Sequence, residues 1–339
     1  MTDRPGSNFP SRPQAIKSIA AQRPPGTSDL NSVSWTPPPL TSLESTGLNL
    51  LNVADLVLKV LYFGGYMPGH NIADIVKLPF TGVLDTVMDF LKREKFVEVR
   101  GSGGLGEAGY QYLISARGAE KAREALDRSQ YAGPAPVPLQ TYIQAMRDQN
   151  RERLIVHEEQ LRQIMNQLVI SDEMLGRIGP AINSGRSIFL YGPPGNGKTT
   201  VAETVGRMVL GSSIWIPYAF DVDGQIVRVF DSVNHALAEE ERIRIGTGVI
   251  PDPRWIRIRR PMIMVGGELT LAGLGLVYDD INKYYEAPFQ VKANGGMFLI
   301  DDFGRQQVRP RDLLNRWIVP LEKGVDFLTL ATGRKIELP

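Results

Sequence analysis

The stretch Gly192-Pro193-Pro194-Gly195-Asn196-Gly197-Lys198-Thr199, followed by Thr200, satisfies the pattern G-x-x-x-x-G-K-[ST]. Each residue type has a chemical reason to be there. Glycines free the backbone N–H groups to turn inward around a phosphate. Lys198 offers a compact charge to β- and γ-phosphate oxygens, and Thr199 offers a hydroxyl to Mg²⁺. About a hundred residues later, "GGMFLIDDFG" sets Asp301 and Asp302 behind the apolar run Met297–Ile300. Asp301 suits a water-mediated hold on Mg²⁺, and Asp302 sits where a carboxylate can orient an attacking water. The expected cofactors are therefore ATP and Mg²⁺. Residues 192–200 are expected to bind the nucleotide, Thr199 and Asp301 the metal, with Lys198 and Asp302 in the catalytic roles.

Such a site needs a strand before the loop and a helix after it. "RSIFLYG" predicts a buried strand entering the loop, and "KTTVAETVGRMVL" an amphipathic helix whose N-terminal dipole faces the phosphates. Upstream, residues 1–45 are rich in Pro, Ser, Gln and Thr and read as a disordered tail. Residues 46–130 are patterned. "LNLLNVADLVLKVLYFGG" predicts a helix stopping at Gly64-Gly65, "GHNIADIVKL" a short one, and "PFTGVLDTVMDFLKREKF" a longer one opened by Pro79. "FVEVRG" and "YQYLIS" read as a hairpin around a glycine-rich turn, closed by the polar helix "ARGAEKAREALDRS". Three helices and a two-stranded wing make the winged-helix plan. Residues 131–168 read as a stiff Pro/Ala linker, "YAGPAPVPLQ", and one long charged helix.

Composition narrows the function classes. Lys plus Arg number 38 against 37 Asp plus Glu, so no global field draws the chain to nucleic acid or acidic lipid. Cysteine is absent and only three histidines occur, which excludes disulfides, thiolate chemistry and Cys-ligated zinc. The longest apolar run carries Asp55 and Lys59, which predicts no membrane span. The N-terminus lacks the layout of a signal peptide, so the expected location is the cytoplasm.

The segment "YYEAPFQVKANGGMFLIDDFGRQQVRPRDLLNRWIVPLEKG" resembles the second acidic motif region of AAA+ ATPases. It is most similar to the clade with an insertion in helix two, the enhancer-binding activators and MoxR-like ATPases. A Gly-Gly precedes the acidic strand, and Leu313-Leu314 and Glu322-Lys323-Gly324 follow it. The resemblance covers 169–339. It implies an α/β P-loop fold, a parallel sheet with helices on both faces, preceded by the small winged-helix α+β domain. It also implies a homo-oligomeric ring that couples ATP hydrolysis to remodelling a macromolecular client. Departures qualify what carries over. The activators' transcription-factor loop is replaced by "LAGLGLVYDDINKYY", and the usual Glu of the acidic pair is Asp302. The best candidate for an arginine finger is Arg316, ahead of Arg309, Arg311 and Arg334. In the family a sensor strand and a helical lid come after the point where this chain reads "KIELP", so the expectation is a core incomplete at its C-terminus.

Two basic features remain. Residues 239–269 alternate Arg with apolar residues, putting Arg242, Arg244, Arg257 and Arg259 on one face of a strand. That face reads as a solvated hairpin or as an arm gripping nucleic acid or a client. Residues 46–128 hold ten Lys plus Arg and ten Asp plus Glu, with Asp85 and Asp89 early on the recognition helix, where DNA phosphates would lie. A protein client is favoured over DNA. The function expected is thus a client-remodelling ATPase. The alternatives are a nucleotide-gated regulator without catalysis and a DNA-associated initiator or helicase loader.

Overall fold

Helix α1 (Leu50–Gly64) begins where Asn49 accepts the Asn52 N–H at 2.8 Å, an N-cap that satisfies an otherwise orphan donor. Its residues Val53, Val57, Val60 and Leu61 recur at helical spacing and are all buried. It stops where Gly65 turns left-handed at φ 75°. The computed structural model describes residues 35–102, 106–150, 155–193, 195–238 and 250–339. Most of the expected tail, the tip of the glycine-rich turn, Pro194, Arg242 and Arg244 lie outside them.

After α1 come β1 (Tyr66–Pro68), α2 (Gly69–Val76), α3 (Asp85–Arg93), β2 (Val97–Ser102), β3 (Tyr110–Ile114) and α4 (Ala116–Arg128). The three strands pair antiparallel in the order β1-β3-β2, and the helices share one apolar core with Tyr112 at its centre. The helix expected to open at Pro79 starts later. Thr81 (ψ 129°) and Gly82 (φ 84°) leave helical geometry, and a Cβ on Gly82 would lie 2.5 Å from the Thr41 carbonyl oxygen. The Asp85 carboxylate takes the Gly82 N–H at 2.8 Å and the Thr86 N–H at 2.7 Å at the first residue of α3.

The expected linker is not free. Tyr131, Ala135 and Val137 are buried, and β4 (Val137–Pro138) joins a sheet edge. The single long helix is two, α5 (Leu139–Gln149) and α6 (Glu158–Met165), followed by α7 (Asp172–Asn183). The Asn183 amide bonds both the N–H and the carbonyl of Val156, at 2.8 and 2.9 Å, fixing an extended entry to α6.

The remainder runs α8 (Lys198–Val209), β5 (Ser213–Pro217), β6 (Ala219–Val222), β7 (Gln225–Arg228), β8 (Trp255–Arg259) and β9 (Met262–Val265). It continues through β10 (Val277–Asp279), β11 (Tyr284–Glu286), α9 (Phe289–Lys292), β12 (Met297–Ile300), α10 (Pro310–Lys323), β13 (Asp326–Thr329) and β14 (Lys335–Leu338). A mixed five-stranded sheet has the order β10-β11-β7-β6-β4. β9 and β12 pair parallel, while β5 with β8 and β13 with β14 pair antiparallel. The chain is mixed α/β, but its described residues form several small sheets and not one parallel sheet. The expected buried strand at 187–191 accounts for part of the difference. It runs without ladder partners, with Phe189 68% and Tyr191 85% exposed. An apolar run supplies only half of what a strand needs; the other half is a hydrogen-bonded neighbour.

Among the described residues charged groups are buried at several places. Arg254 and Asp252 are 2% and 3% exposed and pair at 2.8 Å. Lys59 donates to the Ser129 carbonyl at 3.1 Å, and burial pulls its ammonium down to about 8. His235 accepts the Asp231 N–H at Nδ1 (3.0 Å), so Nε2 carries the proton and donates to the Lys292 carbonyl at 2.8 Å. Burial is the largest influence on His235 and holds its pKa below the ordinary value. Lys292 in turn pairs with Asp231 at 2.8 Å.

Candidate functional site

The loop ends on α8, and α8 is placed by two contacts. Val201 packs into a small apolar cluster with Leu161 of α6 and Leu175 and Ile178 of α7. One turn further on, Gly206 faces the sheet. A Cβ there would stand 2.5 Å from the sulfur of Met262 and 2.6 Å from the terminal methyl of Met297, so a larger residue would have to displace both methionine side chains between α8 and strands β9 and β12. The loop itself uses glycine differently. Gly195 and Gly197 have φ of 81° and 67°, and a Cβ at either would meet nothing within 4 Å, so conformation and not space requires them.

β12 is set by the paired glycines before it. Gly295 has φ 75°, and a Cβ on Gly296 would lie 1.9 Å from the Pro261 carbonyl oxygen. The Met297 N–H donates to that same carbonyl at 2.8 Å and starts the parallel register with β9. The register carries through Ile300 opposite Val265, and Asp301 N–H then donates to the Val265 carbonyl at 2.9 Å.

These placements bring the two ends of the motif set together. Thr199 Oγ1 lies 3.2 and 3.1 Å from the two carboxylate oxygens of Asp301, a contact between residues 102 apart in sequence. Lys198 Nζ donates to the Pro193 carbonyl at 2.8 Å, across the mouth of the loop. Asp302 adopts φ 49°, is 65% exposed, and pairs with Arg305 at 3.4 Å. Gly192, Pro193, Gly195, Asn196 and Thr200 are exposed around the same loop.

A hydroxyl and a carboxylate at this distance are the hard oxygen donors that Mg²⁺ takes. Mg²⁺ is commonly held by one or two carboxylates together with water and substrate phosphates, and not by an all-protein cage. Among the described residues no group of three or more His, Asp or Glu side chains could hold a metal alone.

The structure uses other predicted residues elsewhere. Arg316 forms a bidentate pair with Asp326, at 2.6 and 2.7 Å, and donates to the Leu274 carbonyl. Arg334 pairs with Asp223, while Arg309 and Arg311 are exposed at the start of α10. Arg257 donates to Ser213 Oγ at 2.6 Å within the β5–β8 ribbon. On α3, the Asp85 carboxylate is engaged by the Gly82 and Thr86 N–H groups, and Lys92 is neutralised by Asp89 at 2.8 Å and Glu107 at 3.1 Å. Sequence reasoning missed Gln306, which is 9% exposed and bonded to the backbone of the acidic pair. Its position in a Gln-Gln pair carries no pattern that could have singled it out. No protein-family model matches the chain, and no curated protein is significantly similar to it.

Proposed function

We propose that this chain is a P-loop ATPase of the AAA+ type, which binds Mg-ATP at residues 192–200 and couples its binding or hydrolysis to remodelling a macromolecular client. The observation that carries this reading is the meeting of Thr199 and Asp301 beside a glycine loop that ends on Lys198. The chemistry supplied by a bound Mg²⁺ would be neutralisation of phosphate charge. Thr199 and Asp301 would hold the ion. The backbone N–H groups of the loop would orient the phosphates, and Lys198 would swing from the Pro193 carbonyl to the β- and γ-oxygens. Asp302 would hold the attacking water through its carboxylate. Lys198→Ala should abolish binding of a fluorescent ATP analogue, because the loop has no other cation. Equal affinity in variant and parent would refute the assignment.

The strand order β1-β3-β2 and the alternation of α1 to α3 with those strands support a winged-helix reading of residues 46–130, and with it a client-recruiting role. The neutralised α3 favours a protein client over DNA. On this reading the full chain binds duplex DNA no better than about 100 μM at physiological salt, the non-specific range. Salt-sensitive binding below about 1 μM would favour the initiator or helicase-loader alternative instead. A homo-oligomeric ring and a cytoplasmic setting belong to the same proposal. Among the described residues no helix is long and apolar enough to cross a membrane.

One observation favours a second reading, a nucleotide-gated regulator without turnover. Arg316 is already paired with Asp326 and Asp302 with Arg305, so both charges are engaged within the chain. Phosphate release by the purified chain separates the two readings. Turnover near background with intact ATP binding selects the regulator.

A further inference from the structure

The turn after β12 is closed by one side chain. Gln306 Nε2 donates to the carbonyl oxygens of Asp301 (2.8 Å) and Asp302 (3.1 Å), and Gln306 Oε1 accepts the Gly304 N–H at 2.8 Å. Within this loop Asp302 and Gly304 take left-handed backbone angles, φ 49° and 99°. A non-glycine residue in that region is held there by its surroundings and not by its own preference. The amide of Gln306 supplies that hold, and it is buried at 9% exposure between exposed neighbours Arg305 and Gln307. The consequence reaches the side chains. With both carbonyls pinned, the Asp302 N–H turns back to Asp301 Oδ1 at 2.9 Å, and this bond fixes the carboxylate that faces Thr199.

We propose that Gln306 is a positioning residue for the metal-binding carboxylate: its amide locks the Asp301–Asp302 turn so that Asp301 is aimed at Thr199. The inference rests on the nucleotide reading above. Gln306 touches neither phosphate nor metal; it acts through Asp301. Residues that orient a metal ligand cost 10- to 100-fold in metal affinity when lost.

The test is a pair of variants in the full chain. Gln306→Glu keeps the shape and the acceptor but removes the donor to both carbonyls; Gln306→Met removes donor and acceptor at similar volume. Binding of a fluorescent ATP analogue is measured in EDTA and across a Mg²⁺ titration, beside the thermal unfolding midpoint. The parent should bind more tightly as Mg²⁺ is added. Both variants should keep the parental affinity in EDTA and need about tenfold or more Mg²⁺ for half of the gain. A loop residue with a merely structural role would weaken both conditions alike or neither. If the parent gains affinity with Mg²⁺ and either folded variant gains it at the same Mg²⁺ concentration, this inference fails while the nucleotide site stands. If the parent binds no nucleotide at all, the inference falls together with the site reading.

Discussion

Removing the carboxylate of Asp252 should be among the most damaging single changes in this protein. Its partner, Arg254, is 2% exposed and spends every donor group internally. Nε lies 3.0 and 3.1 Å from the two Asp252 oxygens and Nη2 lies 2.8 Å from Oδ2. Nη1 reaches the carbonyls of Thr46 at 2.8 Å and Pro136 at 3.2 Å. Asp252→Ala leaves a guanidinium in the interior with two carbonyls and no counter-charge. Breaking a buried pair in this way costs about 3–5 kcal/mol. That is a large part of a typical total stability of roughly 5–15 kcal/mol. Asp252→Ala with Arg254→Met removes both charges. The interior charge penalty disappears, but the Thr46 and Pro136 carbonyls lose their donor, at about 1–3 kcal/mol for each one left unsatisfied. At the low end of that range, about 2 kcal/mol for the two carbonyls together, the double variant lies between parent and single variant. Urea unfolding followed by tryptophan fluorescence measures all three. Trp255, next to Arg254 and 5.0 Å from Trp35 between ring centres, reports on this region directly. A cost below about 1 kcal/mol for Asp252→Ala, or a double variant weaker than the single, would show that Arg254 does not depend on its partner.

Other expected outcomes concern the remaining buried groups and the helical core. The folded protein prefers Lys59 neutral, with a pKa of about 8 against the ordinary 10.5, so below pH 8 it carries the full cost of a buried charge. The stability of the parent relative to Lys59→Met should rise by about 3 kcal/mol between pH 7 and 10.5, and a flat difference in urea midpoints would refute this. His235 is held neutral, so the unfolded chain takes up the proton first as pH falls below 6.5. The parent should lose up to about 1.4 kcal/mol per pH unit there, and His235→Gln should lose less between pH 7.5 and 5.5; parallel slopes would argue against it. Leu61→Ala, at a fully buried position, should cost about 3–5 kcal/mol in the transition seen by tryptophan fluorescence, although no tryptophan lies in residues 46–130. A separate transition for the helical part, with the tryptophan signal unmoved, would contradict this.

What was legible in the sequence was local. The glycine loop, Lys198, Thr199 and the acidic pair are short motifs whose residue types are dictated by their chemistry, and the helices α1 to α4 are periodic enough to be read directly. What was not legible depended on distant partners. Residues 187–191 have a strand's composition, yet pairing is a property of two segments. "YAGPAPVPLQ" has a linker's composition, but Ala135 and Val137 are small apolar residues fitted into an interior, which a count of prolines does not reveal. Arg254 reads as one more charge in a basic stretch. Only the approach of Thr46 and Pro136, 208 and 118 residues away, makes it a core residue. Gly206 and Gly296 are ordinary glycines until the atoms they must admit are known.

The same distant contacts decide how the helical part is attached to the glycine loop and the acidic strand. Its core includes Ala219 of β6 and packs against Ile226 of β7 and Tyr284 of β11, so its apolar surface is completed by the five-stranded sheet. At the end of α4, Gln130 N–H donates to the Asn282 carbonyl at 2.9 Å and Lys283 Nζ to the Asp127 carbonyl at 2.7 Å, while Tyr131 meets Tyr284 edge-on at 5.6 Å. All three partners belong to the β10–β11 hairpin. From β11 the chain passes through α9 and the Gly295-Gly296 turn into β12, which ends on Asp301. A second path runs through Arg260. Its guanidinium bonds Gln149 and Asn150 at the end of α5 and the carbonyl of Gly295, and α5 is continuous with β4 and with the buried segment that leaves α4. Both routes converge on the glycine pair that sets the register of the acidic strand. A displacement of the helical part would therefore bear first on the contacts at the hairpin and at Arg260.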